Sequence, residues 1–455
     1  MDHAISNLVG EELEEEERRD KWKRTLAAPN GSLYGIPCRA GRIAKLNPLN
    51  KSMTHIGPDF GRDLVKWERG TMADNGIIYC LPSRGSNHRG ILKIDTNTDT
   101  AIELDRNILP GRGCCMWVSC AAALDGCIYF MPWHARRILK LDPMNNVAIC
   151  VGDDLGDGLG KYLGIVVGID GCVYGMPYNT NRIVKYDPIN DTTSFVGEEA
   201  DGYFVCPSNG ALGRDGCIYA FTAKDNRVLK IDTTNNSHCF VGNSIQSEYE
   251  GWGDAILGID GCIYWPPTFA HHILKFDPHT NQNSLVVVVF ESWNVKWSAG
   301  CLASDGVIYC IPNRAGRILS IDPWKEFRSS IKMNIQGHQE QLGYLFHLSD
   351  DIPNETNFDR AVTKFGHKRI LKWLEECLPP PDRLCTGSNL YPFMILASCK
   401  ESDVSVIYHF LRQVPSFVNS TRHHAGHTRT HTASSGKKLA VRNGSAAQFE
   451  LDRVE

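Results

Sequence analysis

A glycine followed three residues later by a tyrosine recurs seven times along this chain, at Gly31/Tyr34, Gly76/Tyr79, Gly126/Tyr129, Gly171/Tyr174, Gly216/Tyr219, Gly261/Tyr264 and Gly306/Tyr309. Successive glycines lie 45, 50, 45, 45, 45 and 45 residues apart. A fixed period of this length restricts the chain to a solenoid, a propeller or an array, because one unit cannot bury its apolar surface without its neighbours.

The third copy shows what each unit contains. Leu124-Asp125-Gly126 sits between two apolar runs, and a tight Asp-Gly hairpin turn there needs positive φ. Asp142-Pro143, followed by Asn145-Asn146, is a second turn, in which Pro presets φ and Asn tolerates the left-handed region. The β-branched and aromatic runs between these turns have the length of strands. An aromatic also recurs nine residues before the glycine, at Trp22, Trp67, Trp117, Tyr162, Trp252 and Trp297, with Pro207 in the fifth copy. Each unit therefore reads as four strands, and both faces of the second are apolar (Cys127 and Tyr129 against Ile128 and Phe130). Four strands in about 45 residues make a propeller blade. The expectation is an all-β, seven-bladed ring over residues 1–330. Leu8-Val9-Gly10 matches the fourth-strand endings at Val151-Gly152 and Val196-Gly197, so residues about 4–9 are expected to close the last blade. Arg328–Met333 is the rival segment for that strand.

The unit Asp-Gly-x-Ile-Tyr, a loop, then Arg-Ile-Leu-Lys-Ile-Asp resembles NHL-type propeller repeats and, more loosely, kelch repeats. It departs from kelch in having Leu81-Pro82, Met131-Pro132 and Ile311-Pro312 where a Gly-Gly pair would stand. That resemblance implies the fold and leaves open protein binding, metal-dependent lactonase or lyase chemistry at the channel mouth, and RNA binding. Past a linker at 331–356, residues 357–417 turn to a helical period. Gly366-His367 and Tyr391-Pro392-Phe393-Met394 resemble degenerate ankyrin repeats. From 418 to 455 Ser, Thr, His, Gly and Lys dominate, the composition of a disordered tail.

A net charge of −4 argues against a general nucleic-acid surface. The first 30 residues hold no apolar leader and no run approaches 18 apolar residues, which predicts a cytoplasmic or otherwise intracellular chain that is neither secreted nor membrane-spanning. Four of the 17 cysteines (Cys127, Cys172, Cys217, Cys262) share one slot that elsewhere holds Ser32, Ile77 or Val307, so the slot serves packing. No Cys-x-x-Cys pair occurs, and neither a metal nor another cofactor is expected.

Function is expected at the end of the ring where the loops differ. The Asp-Gly and Asp-Pro-x-x-Asn turns are nearly uniform. The loops after the second strand, and the links to the next aromatic, vary from copy to copy, which is how a rigid scaffold presents binding residues. Their aromatic, basic and imidazole side chains give a candidate partner-binding set of Trp133, His134, Arg136, Tyr178, Phe269, His271 and Arg314. The seven tyrosines are expected to be structural. A recurring Arg that opens the third strand (Arg42, Arg137, Arg182, Arg227, Arg317) reads as a backbone or carboxylate partner. Asp153, Asp154, Asp157, Glu198, Glu199, Glu248, Glu250 and Glu291 are the carboxylates available to a metal in the enzyme reading. No Ser/His/Asp or Cys/His signature occurs, so no catalytic residue is assigned. The leading expectation is a scaffold for a protein partner, ahead of a metal-dependent lactonase or lyase and of an NHL-like RNA binder.

Overall fold

The computed structural model describes residues 5–13, 21–62, 65–83, 86, 88, 90–110, 116–245, 251–287, 296–323 and 325. The chain divides into two compact units, and every described residue belongs to the first, Met1–Asn334 with Ala361–His367. The ankyrin-like segment, the tail and the rival closing strand Arg328–Met333 lie outside the described residues.

Seven four-stranded antiparallel sheets are present, one for each copy of the repeat. In blade 3 the strands are Trp117–Ala122, Ile128–Pro132, Ile138–Asp142 and Val147–Val151, paired in chain order from the centre outward. Each innermost strand packs against those of the blades on either side, and that of blade 1 (Trp22–Ala27) meets that of blade 7 (Cys301–Leu302), so the ring is closed. The last blade takes its outermost strand from the other end of the chain: Ser6–Val9 runs antiparallel to Ile318–Ile321, with Ser6 opposite Ile321 and Val9 opposite Ile318.

All seven turn glycines adopt φ between 75° and 85°, the left-handed region that glycine enters without a Cβ penalty. In blade 3 the Gly126 N–H donates to Ala123 O at 3.0 Å and closes the turn. Second strands are buried on both faces, because each blade is sandwiched between two others. The seven repeat tyrosines are fully buried. In blades 3 to 7 each hydroxyl donates to the aspartate of its own turn, as in Tyr129–Asp125 at 2.7 Å and Tyr174–Asp170 at 2.8 Å. A third-strand lysine completes the set in blades 3 and 4, with Lys140–Asp125 at 2.9 Å and Lys185–Asp170 at 2.8 Å.

Three blades lack one member of this set. In blade 2, which has Asn75 in place of the turn aspartate, the Tyr79 hydroxyl donates to Pro143 O of blade 3 at 3.2 Å, and in the other two a neighbour's side chain supplies the missing group. Blade 1 has Asn30 in place of the turn aspartate. Asp99, from the outer turn of blade 2, accepts from Tyr34 at 2.7 Å and pairs with Lys45 at 2.6 Å. Blade 7 has Ser320 in place of the lysine, and Lys51 from the outer turn of blade 1 pairs with Asp305 at 3.5 Å and bonds Tyr309. Both suppliers occupy the same left-handed position of their turns, with φ of 56° and 61°.

Candidate functional site

The variable loops are held from below by a belt of main-chain hydrogen bonds just ahead of the recurring aromatic. Lys21 N–H donates to Asn313 O (2.9 Å) and Lys21 O accepts from Cys38 N–H (2.8 Å); Lys66 N–H then donates to Cys38 O (2.8 Å) and Lys66 O accepts from Ser83 N–H (2.7 Å). The same step recurs at Lys161, between Trp133 and Tyr178, and at Lys296, between Thr268 and Asn313. These lysines are buried. Lys66 Nζ donates to Gly61 O, Lys161 Nζ to Gly156 O and Gly158 O, and Lys296 Nζ to Phe269 O and Ala270 O. Burial pulls the Lys161 and Lys296 ammonium groups below their usual pKa. Sequence reading missed this slot, although lysine directly precedes the aromatic in four of the seven copies.

Part of the expected binding set comes together on blades 3 and 4. The rings of Trp133 and Tyr178 lie 5.3 Å apart, and those of Trp133 and His134 5.9 Å apart. His134 Nδ1 accepts from Gly160 N–H. A Cβ at Gly160 would come within 3.1 Å of Trp133, so the indole lies against this glycine. Beside it Leu159 is 69% exposed. The next link brings up Tyr203, 56% exposed, and its backbone runs along the loop: Val205 N–H donates to Tyr178 O and Phe204 N–H to Thr180 O. Val205 holds φ of 52°, which a β-branched side chain rarely adopts. Arg136 pairs with Asp154 at 2.7 Å and Asp157 at 2.5 Å, so two of the carboxylates offered to a metal are spent on it. Phe269, 49% exposed, and His271 lie on blade 6, and Arg314 on blade 7, away from the first group.

The recurring third-strand arginines serve the outer half of the blade. Arg182 stacks over Phe195 at 4.2 Å, and Arg227 donates to Gly242 O and Phe240 O. Trp22, Trp117 and Trp297 Nε1–H groups donate to the carbonyls of Arg42, Arg137 and Arg317.

At the centre of the ring stands a charge cluster that sequence reading did not find. Two residues after the recurring aromatic, in or just ahead of each innermost strand, stand Arg24, Arg69, Ser119, Gly164, Asn209, Asp254 and Ala299, and three of these meet. Asp254 of blade 6 binds Arg24 of blade 1 and Arg69 of blade 2, both at 3.1 Å, and accepts from Asn209 N–H at 2.9 Å. Burial alone would raise the Asp254 pKa, but Arg69, Arg24 and the amide outweigh it and hold the carboxyl below its usual range. One step along, Lys23 pairs with Glu68 at 2.8 Å. The inner strands of blades 1 and 2 carry a register shift at this level, between Trp22 and Thr25 and between Trp67 and Arg69, the kind of irregularity that re-aims side chains. Among the described residues no group of three or more His, Cys, Asp or Glu is placed to hold a metal ion.

No protein-family model matches the chain, and no curated protein matches it in sequence. In structure it is similar to a streptogramin B lyase (TM-score 0.57, 15% identity, covering 69% of this chain and 97% of that one). It is likewise similar to a catalytically inactive variant of virginiamycin B lyase from Staphylococcus aureus solved with quinupristin (0.56, 14%, 69% and 98%). A fungal alcohol oxidase in complex with copper is a more distant likeness (0.52, 13%, 70% and 77%). At these identities the likeness is one of fold, a seven-bladed β-propeller.

Proposed function

We propose that this chain is an intracellular protein-binding scaffold that presents the variable loop face of its propeller to a protein partner. The observation that carries this reading is the group Trp133, Leu159, Tyr178 and Tyr203, an apolar and aromatic surface on loops whose backbones are already fixed by the belt and its buried lysines. Pre-fixed loops lose little entropy on binding, and aromatic anchors dominate interface energetics. Arg136, held between two aspartates at the edge of the group, supplies a polar rim.

The face at the other end also exposes apolar side chains, Leu124, Met144, Ile169 and Ile189 on blades 3 and 4, so the test compares the two faces. Affinity capture from the source cell is run with the intact chain, with Trp133→Ala/Arg136→Ala/Phe269→Ala, and with Leu124→Ser/Ile189→Ser. The proposal expects the loop-face variant to lose partners that the second variant keeps. Identical partner sets for all three, or loss only with the second, would remove the loop face from the reading.

A second reading, a lyase-type enzyme, has the fold likeness to the streptogramin lyases behind it. It requires an acid and a base facing one substrate, and turnover of a cyclic ester or lactone by the purified chain would place it first.

A further inference from the structure

The axial cluster holds more cationic than anionic charge, and its arginines are incompletely used. Lys23 and Glu68 pair with each other, and although Glu68 also lies within the field of Arg69, Asp254 is the only carboxylate among the described residues that bonds Arg24 and Arg69. Each guanidinium spends only Nη1 on that carboxylate, and its other two nitrogens have no hydrogen-bond partner among the described residues. Guanidinium offers five N–H donors in a planar fork, a geometry that matches a second oxyanion better than it matches water alone. Both side chains remain about one-fifth accessible (19% and 20%), so the pair is not sealed from solvent. The buried thiols nearby do not balance the charge. Cys80, Cys120 and Cys301 lie within the field of Arg24, but burial pushes their thiols well up, and they stay neutral near neutral pH.

A second, independent observation concerns hydroxyls. Ser119 occupies in blade 3 the register position that Arg24 and Arg69 occupy in blades 1 and 2. It is fully buried, and its Oγ has no hydrogen-bond partner. Ser208 and Ser298, each one residue before that position in blades 5 and 7, also carry buried, unpartnered Oγ atoms. Buried hydroxyls ordinarily find partners, and Ser119, without one at the register position of Arg69, is a further group on an innermost strand that a polar guest could satisfy.

We propose that the axis of this propeller is an oxyanion site: a carboxylate-bearing ligand is gripped by the unused edges of Arg24 and Arg69, with Asp254 holding both arginines in register. The site is independent of the loop-face reading, because the substitutions that test that face leave the arginines untouched.

Isothermal titration calorimetry on the full chain at low ionic strength tests it with succinate and with an N-acetylated Gly-Gly-Glu tripeptide, against chloride at matched ionic strength. One saturable site is expected, and Arg24→Gln or Arg69→Gln should weaken it roughly tenfold or more, the loss of a charge-assisted bidentate contact. Arg69→Lys, which keeps the charge and loses the fork, should also bind more weakly than the parent. Asp254→Asn, which keeps an acceptor oxygen toward the arginines and removes the competing charge, should bind succinate more tightly, a gain that a merely structural role for the cluster would not produce. If the glutamine variants do not fold, the Arg69→Lys loss and the Asp254→Asn gain decide the matter. Tighter binding of the tripeptide assigns the carboxylate to a partner's chain, and tighter binding of succinate assigns it to a small organic acid. Heat no larger than with chloride for both probes, or glutamine and lysine variants that bind like the parent, overturns the proposal.

Discussion

Individual side chains here act in sets that repeat with the blade. Tyr174 is fully buried and bonds Asp170, so Tyr174→Ala should cost roughly 3–5 kcal/mol, the range of other large aromatic truncations, by chemical denaturation. A loss below about 1 kcal/mol would mean that the slot does not carry the core. Complementation between blades makes a sharper test. Asp99→Asn removes the carboxylate shared by Tyr34 and Lys45 and should destabilise by about 1–3 kcal/mol, whereas Asn30→Asp in that background should recover most of it by restoring the arrangement of blades 3 to 6. No recovery would show that the Asp99 backbone position, not its charge, matters. The titration of these sets has a definite sign. Burial works to raise the Asp125 and Asp170 pKa values, but bonds from Tyr129 and Lys140, and from Lys185 and Tyr174, outweigh it and hold both below the ordinary carboxylate range. Their contribution is therefore present above the unfolded value of about 3.9 and is lost as pH falls through the lower folded values. Tyr129, Tyr174 and Tyr219 are pushed the other way, first by burial and then by their aspartates, so their contribution is full below about 10 and lost as pH rises further. In an alkaline titration, tyrosinate absorbance from these residues should appear only together with unfolding.

Among the elements, the closing strand carries the clearest expectation. Ser6–Val9 is the only partner of the outer edge of Ile318–Ile321 among the described residues, and removal of residues 1–12 should leave blade 7 with an unpaired edge and lower the melting temperature by several degrees. An unchanged transition would return that role to another segment. This strand was readable because Leu8-Val9-Gly10 repeats the ending of other fourth strands, and the blades were readable because every turn needs the same glycine and every core the same tyrosine. The axial cluster was not, for a physical reason. A ring site is assembled from one residue per blade, and Arg24, Arg69, Ser119, Gly164, Asn209, Asp254 and Ala299 share a position while having no chemistry in common, so no periodic signal marks them. The loop set was legible in part. Trp133 and Tyr178 do meet, whereas Leu159 and Tyr203 were passed over because they sit in links whose paths only the fold determines. Val205 lies in one of those links. Val205→Asn, which tolerates left-handed φ, should raise stability by roughly 1 kcal/mol, and a destabilised variant would mean that the valine side chain repays its strain by packing.

For the molecule as a whole, the proposed function requires loops on one face of the ring that are fixed before any partner arrives. Variable loops on a propeller can be loose or fixed, and the belt decides which. Trp133, His134 and Ala135 N–H groups converge on Met116 O, and Thr268, Phe269 and Ala270 N–H groups converge on Gly251 O, at 2.8 to 3.1 Å. Tyr178 N–H reaches Lys161 O at 2.8 Å and Asn179 N–H reaches Gly160 O at 3.0 Å. Loops that carry partner residues are ordinarily drawn from the least stable parts of a fold. Native-state hydrogen exchange on the free protein separates the two cases directly. The account predicts that the amides of Trp133–Ala135, Tyr178–Asn179 and Thr268–Ala270 exchange nearly as slowly as those of the second strands. Exchange at the rates of unstructured backbone, while the second strands stay protected, would contradict it.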